Sequence, residues 1–229
     1  MDLAFVAASH AGAAALGSRH IVQTPHLAGL AGRTSRAALG AVALFTTLTA
    51  VAVPWTVQVR NGAGAPLSDA VVAVQVNGQA ANARPGTTAQ MAQRARQFDP
   101  HVLVVQTGTA VSFPNFDTVR HHVYSFSATK SFDIKLYAGT PANPVVFDKP
   151  GVATLGCNIH DRMSAHVVVV DTPLFARSDA AGTVTFDLPA GDHVVLFWHA
   201  KLGEAALRSA QVHVGKTAGR TELTLGVTD

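Results

Sequence analysis

GCNIHDRM, Gly156 to Met163, holds the only cysteine of the chain, with a histidine three residues later and a methionine three beyond that. At this spacing Cys157, His160 and Met163 would share one face of a buried helix, where a lone cysteine is a small hydrophobe and a methionine is filler. Gly156, Asn158 and Asp161 favour turns over helix interiors, however. The segment also sits between two strand-like runs, ATL before it and AHVVVV after it. It therefore reads as a short loop joining adjacent strands, which can bring several side chains to one point. A thiolate, an imidazole and a thioether form a soft donor set suited to copper. Zinc seldom recruits methionine, and magnesium or calcium would call for carboxylates.

One short loop cannot surround an ion. A mononuclear copper site of the electron-transfer kind takes two His, one Cys and a weakly held Met. The segment FPNFDTVRHHVYSF supplies the second histidine. Asn115 and Asp117 make a turn, and the chain then enters a strand that begins at His121 and His122. Successive strand residues face opposite sides, so only one of this pair can serve.

The rest of the chain is read as strand and turn. With 229 residues it is long enough for one large domain or two small ones. Hydrophobic residues make up 48% and charged residues 14%, a globular and not a disordered composition. The net charge of +3 comes from scattered Lys and Arg, which excludes a nucleic-acid surface. WTVQVRNGAGAPLSDAVVAVQV alternates on each side of a Gly/Pro/Asn-rich turn and reads as a hairpin. Residues Ala89 to Arg96 read as a weak helix or an edge strand. HVLVVQTGTAVSF, HHVYSFS, PVVFDKPGVATLGC and SAHVVVVD form a second strand system, and the blocks from DAAGTVTF to RTELTLGV a third. Short strands at regular spacing predict an all-β chain of sandwiches instead of a parallel α/β sheet.

Two paired stretches carry a family resemblance. VQTGTAVSFPNFDTVRHHVYSF followed by PGVATLGCNIHDRMSAHVVVVD resembles the cupredoxins of the plastocyanin and amicyanin kind, over roughly residues 97 to 171. The Cys-x-x-His-x-x-Met spacing is similar to the short ligand loop of amicyanin. The resemblance implies a Greek-key cupredoxin sandwich holding one copper ion on His121, Cys157, His160 and Met163. Position matching chooses His121 and leaves His122 where the family usually has Asn, a side chain that tethers the two ligand loops. A second departure is the lack of an aromatic residue just before the Cys, where Thr154, Leu155 and Gly156 stand. HHVYSFS, FDKPG and LGCNIHD further resemble a bacterial subgroup labelled methylamine utilization proteins, which implies a link to amine oxidation. The ligand set implies a trigonal plane of one sulfur and two nitrogens with Met163 as a long axial contact. No position is left for substrate, so the expectation is electron relay and not enzymatic turnover.

The flanks resemble a different family. TVQVRNGAGAPLSDAVVAVQV and ARSDAAGTVTFDLPAGDHVVLFWHAKLG are similar to a transthyretin-like, carboxypeptidase-regulatory domain, with its Asp-x-x-Gly and Leu-Pro-Ala-Gly turns. The implied organisation is a cupredoxin over residues 85–171 inserted in a sandwich made of 54–84 and 172–229. Residues 1–53 form an N-terminal extension. There, Arg33 and Arg36 precede the apolar run AALGAVALFTTLTAVAV, which ends in Ala50-Val51-Ala52 before Pro54. This pattern fits a secretory signal peptide and a periplasmic location. A retained membrane anchor is the rival, and only then would a membrane be a partner. The roughly 30 residues before Arg33 exceed an ordinary n-region, which implies a start site further downstream. In an exported chain a single cysteine cannot form an internal disulfide and calls for a metal or redox role.

Other histidines are assigned bland roles: His166 at the surface or supporting the site, His193 exposed after a turn, His199 and His213 as ordinary strand residues. Asp117 and Asp161 read as turn-capping residues. The expected partner is a redox protein donor or acceptor docking around His160. Copper buffering or delivery, and binding through the transthyretin-like (carbohydrate-binding-like) sandwich, are the alternative functions.

Overall fold

The computed structural model describes residues 51–160 and 162–228. Most of the apolar N-terminal run and its basic flank lie outside the described residues, as does Asp161. Among the described residues no helix is long and apolar enough to cross a membrane.

The chain is all β. Its strands are β1 (Ala52–Arg60), β2 (Val71–Gln75), β3 (Thr88–Gln90), β4 (Ala92–Arg94), β5 (Gln97–Asp99), β6 (Val102–Gln106), β7 (Thr109–Ser112), β8 (His121–Ser127) and β9 (Lys130–Tyr137). They continue as β10 (Val145–Phe147), β11 (Gly151–Gly156), β12 (Ser164–Val170), β13 (Phe175–Arg177), β14 (Thr183–Pro189), β15 (Gly191–Trp198), β16 (Arg208–Val214) and β17 (Gly219–Thr224). The final two residues of the apolar run, Ala52 and Val53, pair with Pro189 and Leu188 as the start of β1.

Four sheets stack face to face. β14-β1-β17 packs on β13-β2-β15-β16 through a core that includes Val57, Val72, Val74, Leu188, Val195 and Leu225. β10-β7-β3 packs on β6-β12-β11-β8-β9 through a second core that includes Met91, Phe113, Phe147, Leu155 and Val167. A third cluster joins the two middle sheets: Val71, Ala73 and Trp198 from one, Val102, Val152, Val168 and Val170 from the other. β2 and β12 are therefore buried on both faces. This accounts for their uninterrupted apolar sequences, VVAV and VVVV, where a half-buried strand would alternate. Each valine so buried contributes about 1.5–3 kcal/mol.

Strands from 52–75 and 175–224 build the first pair of sheets, and strands from 88–170 build the second. In the second pair, β6 and β7 lie in opposite sheets, as do β9 and β10, and the chain crosses between layers as a Greek key requires. Residues 88–94 are strand, not helix: β3 is the edge partner of β7, and β4 pairs with β5.

The expected hairpin over 55–76 does not form. β1 and β2 belong to different sheets and face each other across the first core. The segment 61–70 exceeds the about two to five residues of a hairpin loop. Its first turn is held by Asn61 Oδ1, which accepts from the Ala63 and Ala65 amides. Alternation on both sides of a turn specifies two strands but not whether they pair or oppose.

Two histidines differ from expectation. His193 is fully buried; its Nδ1 accepts from the Asn77 amide at 3.0 Å and its Nε2 donates to the Pro189 carbonyl at 2.8 Å. His166 is buried between the middle sheets, not at the surface. It bonds Thr154 Oγ1 at 3.1 Å and meets the Trp198 ring edge-on at 5.2 Å. His199 caps the short 3-10 turn Ala200–Leu202.

Burial depresses the His166 pKa below its ordinary 6.5; nearby His101 adds repulsion, and Glu204 opposes both. The unfolded chain therefore binds a proton in a window where the fold resists one. The stability contributed by a neutral His166 is complete above about pH 6.5 and is lost as pH drops below it. Denaturant midpoints measured from pH 7.5 down to 5 are expected to decline, and His166→Gln to flatten that decline; an identical slope in the variant would refute the assignment.

Candidate metal centre

The loop 157–163 joins β11 to β12, which pair antiparallel up to Gly156↔Ser164. Beside them β8 runs antiparallel to β11, with Gly156 opposite Tyr124. Three adjacent strands thus deliver the start of β8, the end of β11 and the start of β12 to one edge of a sheet. There the Cys157 Sγ stands 3.9 Å from His121 Nδ1 and 4.0 Å from His160 Nδ1. Sγ and one ring nitrogen of each histidine all lie within 4.8 Å of one another. His121 and Cys157 are buried; His160 is half-buried.

These spacings fit a shared ion. With metal–sulfur and metal–nitrogen bonds of about 2.3 and 2.0 Å at roughly 120°, sulfur and nitrogen stand ~3.8 Å apart. Met163 is buried in the same core cluster as Cys157, and its amide closes the loop by donating to the His160 carbonyl at 2.9 Å. Of the four residues expected at the site, His121, Cys157 and His160 bring their donor atoms together, and Met163 shares the core cluster of Cys157.

His122 points the other way. Its Nε2 meets Asp133 Oδ1 on β9 at 2.5 Å, and its ring tilts against Tyr124 at 5.4 Å. The two adjacent histidines thus meet different partners, with a register shift in the β8–β9 pairing between His121 and Val123. No bond ties His122 to the loop 157–163 among the interactions of the described residues. The loop ahead of β8 is tied to itself and to the end of β9 by Asn115. Its Oδ1 accepts from the Asp117 amide, and its Nδ2 donates to the carbonyls of Val119 and Tyr137 at 2.8 and 3.1 Å.

Two features of the surroundings escaped sequence reasoning. Asp117 is more than a turn residue: its Oδ2 bonds His121 Nε2 at 2.7 Å. Burial pushes its carboxyl up, but the Arg96 amide, His121 and the Ala95 amide together hold it below the ordinary range. The only sequence signal was a carboxylate four residues before a strand histidine. The second is an aromatic ring supplied by the neighbouring strand. A Cβ added to Gly156 would meet Tyr124 Cζ at 2.6 Å, so glycine is the residue that lets this ring lie beside the cysteine. Beneath the site, burial raises the Tyr137 pKa to about 12, and its hydroxyl donates to the Phe113 carbonyl at 2.6 Å.

Two clefts flank the loop 157–163. One of about 350 Å³ is lined by His122, Lys135, Leu136, Asn158 and Ile159. Leu136 and Ile159 are 51% and 48% exposed, which sets apolar surface beside His160. Another of about 400 Å³ runs past Tyr124, Phe126 and Glu204 to Cys157 and Met163.

No family model matches the chain, and no curated protein sequence matches it. Solved structures similar to it are cupredoxins. A purple cupredoxin from Nitrosopumilus maritimus is 22% identical over 36% of this chain and 98% of its own, with a TM-score of 0.31. A reduced variant of amicyanin is 17% identical over 43% of this chain and 97% of its own, with a TM-score of 0.33. A second amicyanin variant, a Cu(I) form, is 18% identical over 36% and 81%, again at 0.33. With scores this low, the reading of the site rests on its own residues.

Asn115→Ala strips partners from two carbonyls and one amide. It is expected to lower stability by about 1–3 kcal/mol, measured by chemical denaturation of the metal-free protein; a change within error would show that the loop is held otherwise.

Proposed function

We propose that this chain is an exported blue-copper protein that carries electrons between redox partners. The observation that carries the reading is the convergence of Cys157 Sγ, His121 Nδ1 and His160 Nδ1 at about 4 Å spacing, with the thioether of Met163 buried in the same cluster. In this reading Cys157 binds as thiolate, His121 and His160 through Nδ1, and Met163 weakly. A copper ion held there supplies a one-electron couple, Cu(II)/Cu(I), and the soft donors suit both states.

The chain's own residues do the rest. Leu155, Met163, Phe113 and Val123 pack with Cys157 in one apolar core, which limits rearrangement when charge changes. His160 is the half-exposed member, and the apolar surface of Ile159 and Leu136 beside it is where a donor or acceptor protein would dock. An all-protein donor set leaves no place for a substrate, so the reading assigns no enzymatic step. The nested organisation, a cupredoxin over 85–171 within a transthyretin-like sandwich of 54–84 and 172–229, belongs to the same proposal. The separate sheet pairs and cores support it. Periplasmic export and a link to amine oxidation complete it.

A second reading, copper buffering or delivery, is favoured by the cleft that reaches Cys157 and Met163 from solvent. The full-length protein loaded with Cu(II) distinguishes the two. A relay should show an intense visible thiolate band, cycle reversibly and resist chelators; a buffer should surrender its copper to them and hold mainly Cu(I). Cys157→Ser and His121→Ala are expected to abolish the band, whereas His122→Ala keeps it. An oxidised, copper-treated protein that stays colourless would end the electron-transfer reading, and loss of the band in His122→Ala alone would reassign the ligand.

A further inference from the structure

The buried histidine of the site is held by more than its strand. Asp117 occupies the loop ahead of β8, and its carboxylate takes three bonds at once. Oδ1 accepts from the Ala95 amide at 2.7 Å, while Oδ2 accepts from the Arg96 amide at 2.9 Å and meets His121 Nε2 at 2.7 Å. Ala95 and Arg96 form the β4–β5 turn with φ of 49° and 58°, two successive non-glycine residues in the left-handed region. Turns of this kind favour Asn-Gly. Here both amides of the turn point at one carboxylate. Asn115 fixes the opposite end by accepting the Asp117 amide at 2.9 Å. The His121 side chain is fully buried and that of Asp117 only 16% exposed.

An ionised carboxylate can only accept hydrogen bonds. His121 must then carry its proton on Nε2, and a neutral ring so protonated leaves its lone pair on Nδ1. That is the nitrogen 3.9 Å from Cys157 Sγ.

We infer that Asp117 is a positioning residue, which locks His121 in the Nε2–H tautomer with Nδ1 free for a metal and places a negative charge one imidazole away from it. The second half of this inference rests on the copper reading above; the first does not. A carboxylate behind the ring makes the imidazole a stronger donor and favours the more highly charged oxidised ion. Asp117 thereby stabilises Cu(II) over Cu(I) and lowers the reduction potential. His122 provides an internal contrast. Its carboxylate partner, Asp133, is more exposed and is shared with Lys135 at 2.5 Å, and the ring faces away from Cys157.

The test has a metal-free arm and a copper arm, with Asp133→Asn as the control. In the metal-free protein, nitrogen-15 NMR of the imidazoles should place the His121 proton on Nε2, and Asp117→Ala should shift population to the Nδ1–H form. In the copper arm, Asp117→Asn, which keeps the side-chain shape and removes the charge, should lower Cu(II) affinity by about 10- to 100-fold. Cu(I) affinity should fall less, so that the reduction potential rises. Asp133→Asn should leave both the His121 tautomer and the potential unchanged. An Nδ1–H form in the wild type, or an unchanged tautomer in Asp117→Ala, overturns the positioning role whether or not copper binds. If Asp117→Ala does not fold, Asp117→Asn is read in the same NMR experiment, where a mixed tautomer population supports the role and an unchanged one overturns it. Unchanged Cu(II) affinity and potential in Asp117→Asn overturn the tuning role. Failure of the wild type to bind copper overturns it together with the copper reading but leaves the NMR result standing.

Discussion

A sulfur and an imidazole nitrogen from residues 36 apart in sequence are held 3.9 Å from one another inside an apolar core. Nothing local imposes that spacing. It follows from β8, β11 and β12 being neighbours in one sheet, so that one loop and one strand end open at the same edge. Thiol and imidazole are costly to bury without partners. The framework that keeps them together therefore has to be rigid enough to outweigh the preference of each for water.

Rigidity comes from burial on both sides. β12, which carries the loop's far end, has Val167 and Val169 in the core under the site and Val168 and Val170 in the cluster shared with the outer sheets. The sheet bearing the site is thus an inner layer. Along β12 the register cannot be set by an apolar face against a polar one, since both faces are apolar. Polar residues at defined points supply that information. His166 bonds Thr154 across the β11–β12 pair. Ser127 accepts from the Thr154 amide and donates to Glu204 at the other side of the interface.

The electrostatic design is uneven around the two adjacent histidines. His121 and His122 each have a carboxylate partner. One pair lies within the fold, with the carboxylate fastened by backbone amides; the other opens to solvent and is shared with a lysine. A one-residue step along a strand separates an imidazole whose carboxylate partner is fastened by two backbone amides from one whose partner is shared with a lysine. In the same way, Gly156 matters for what it lacks: without a Cβ it admits the Tyr124 ring from the next strand.

The sequence by itself determined the all-β class, the strand-loop-strand setting of GCNIHDRM and the soft character of its donors, because alternation, turn residues and ligand chemistry are local properties. It also placed a second histidine at the start of HHVYSF, and pattern matching favoured His121. Only the tertiary structure decided what depends on which surfaces meet. It set β1 and β2 in opposing sheets where alternation read as a hairpin, it buried His193 where it read as exposed, and it placed His166, read as a surface or site-supporting residue, between the middle sheets. It also turned Asp117 from a turn residue into the partner of His121. The sheet placement and the burial are fixed by long-range packing, and Asp117, though only four residues from His121, is aimed at it by the distant β4–β5 turn; period and propensity carry no record of either.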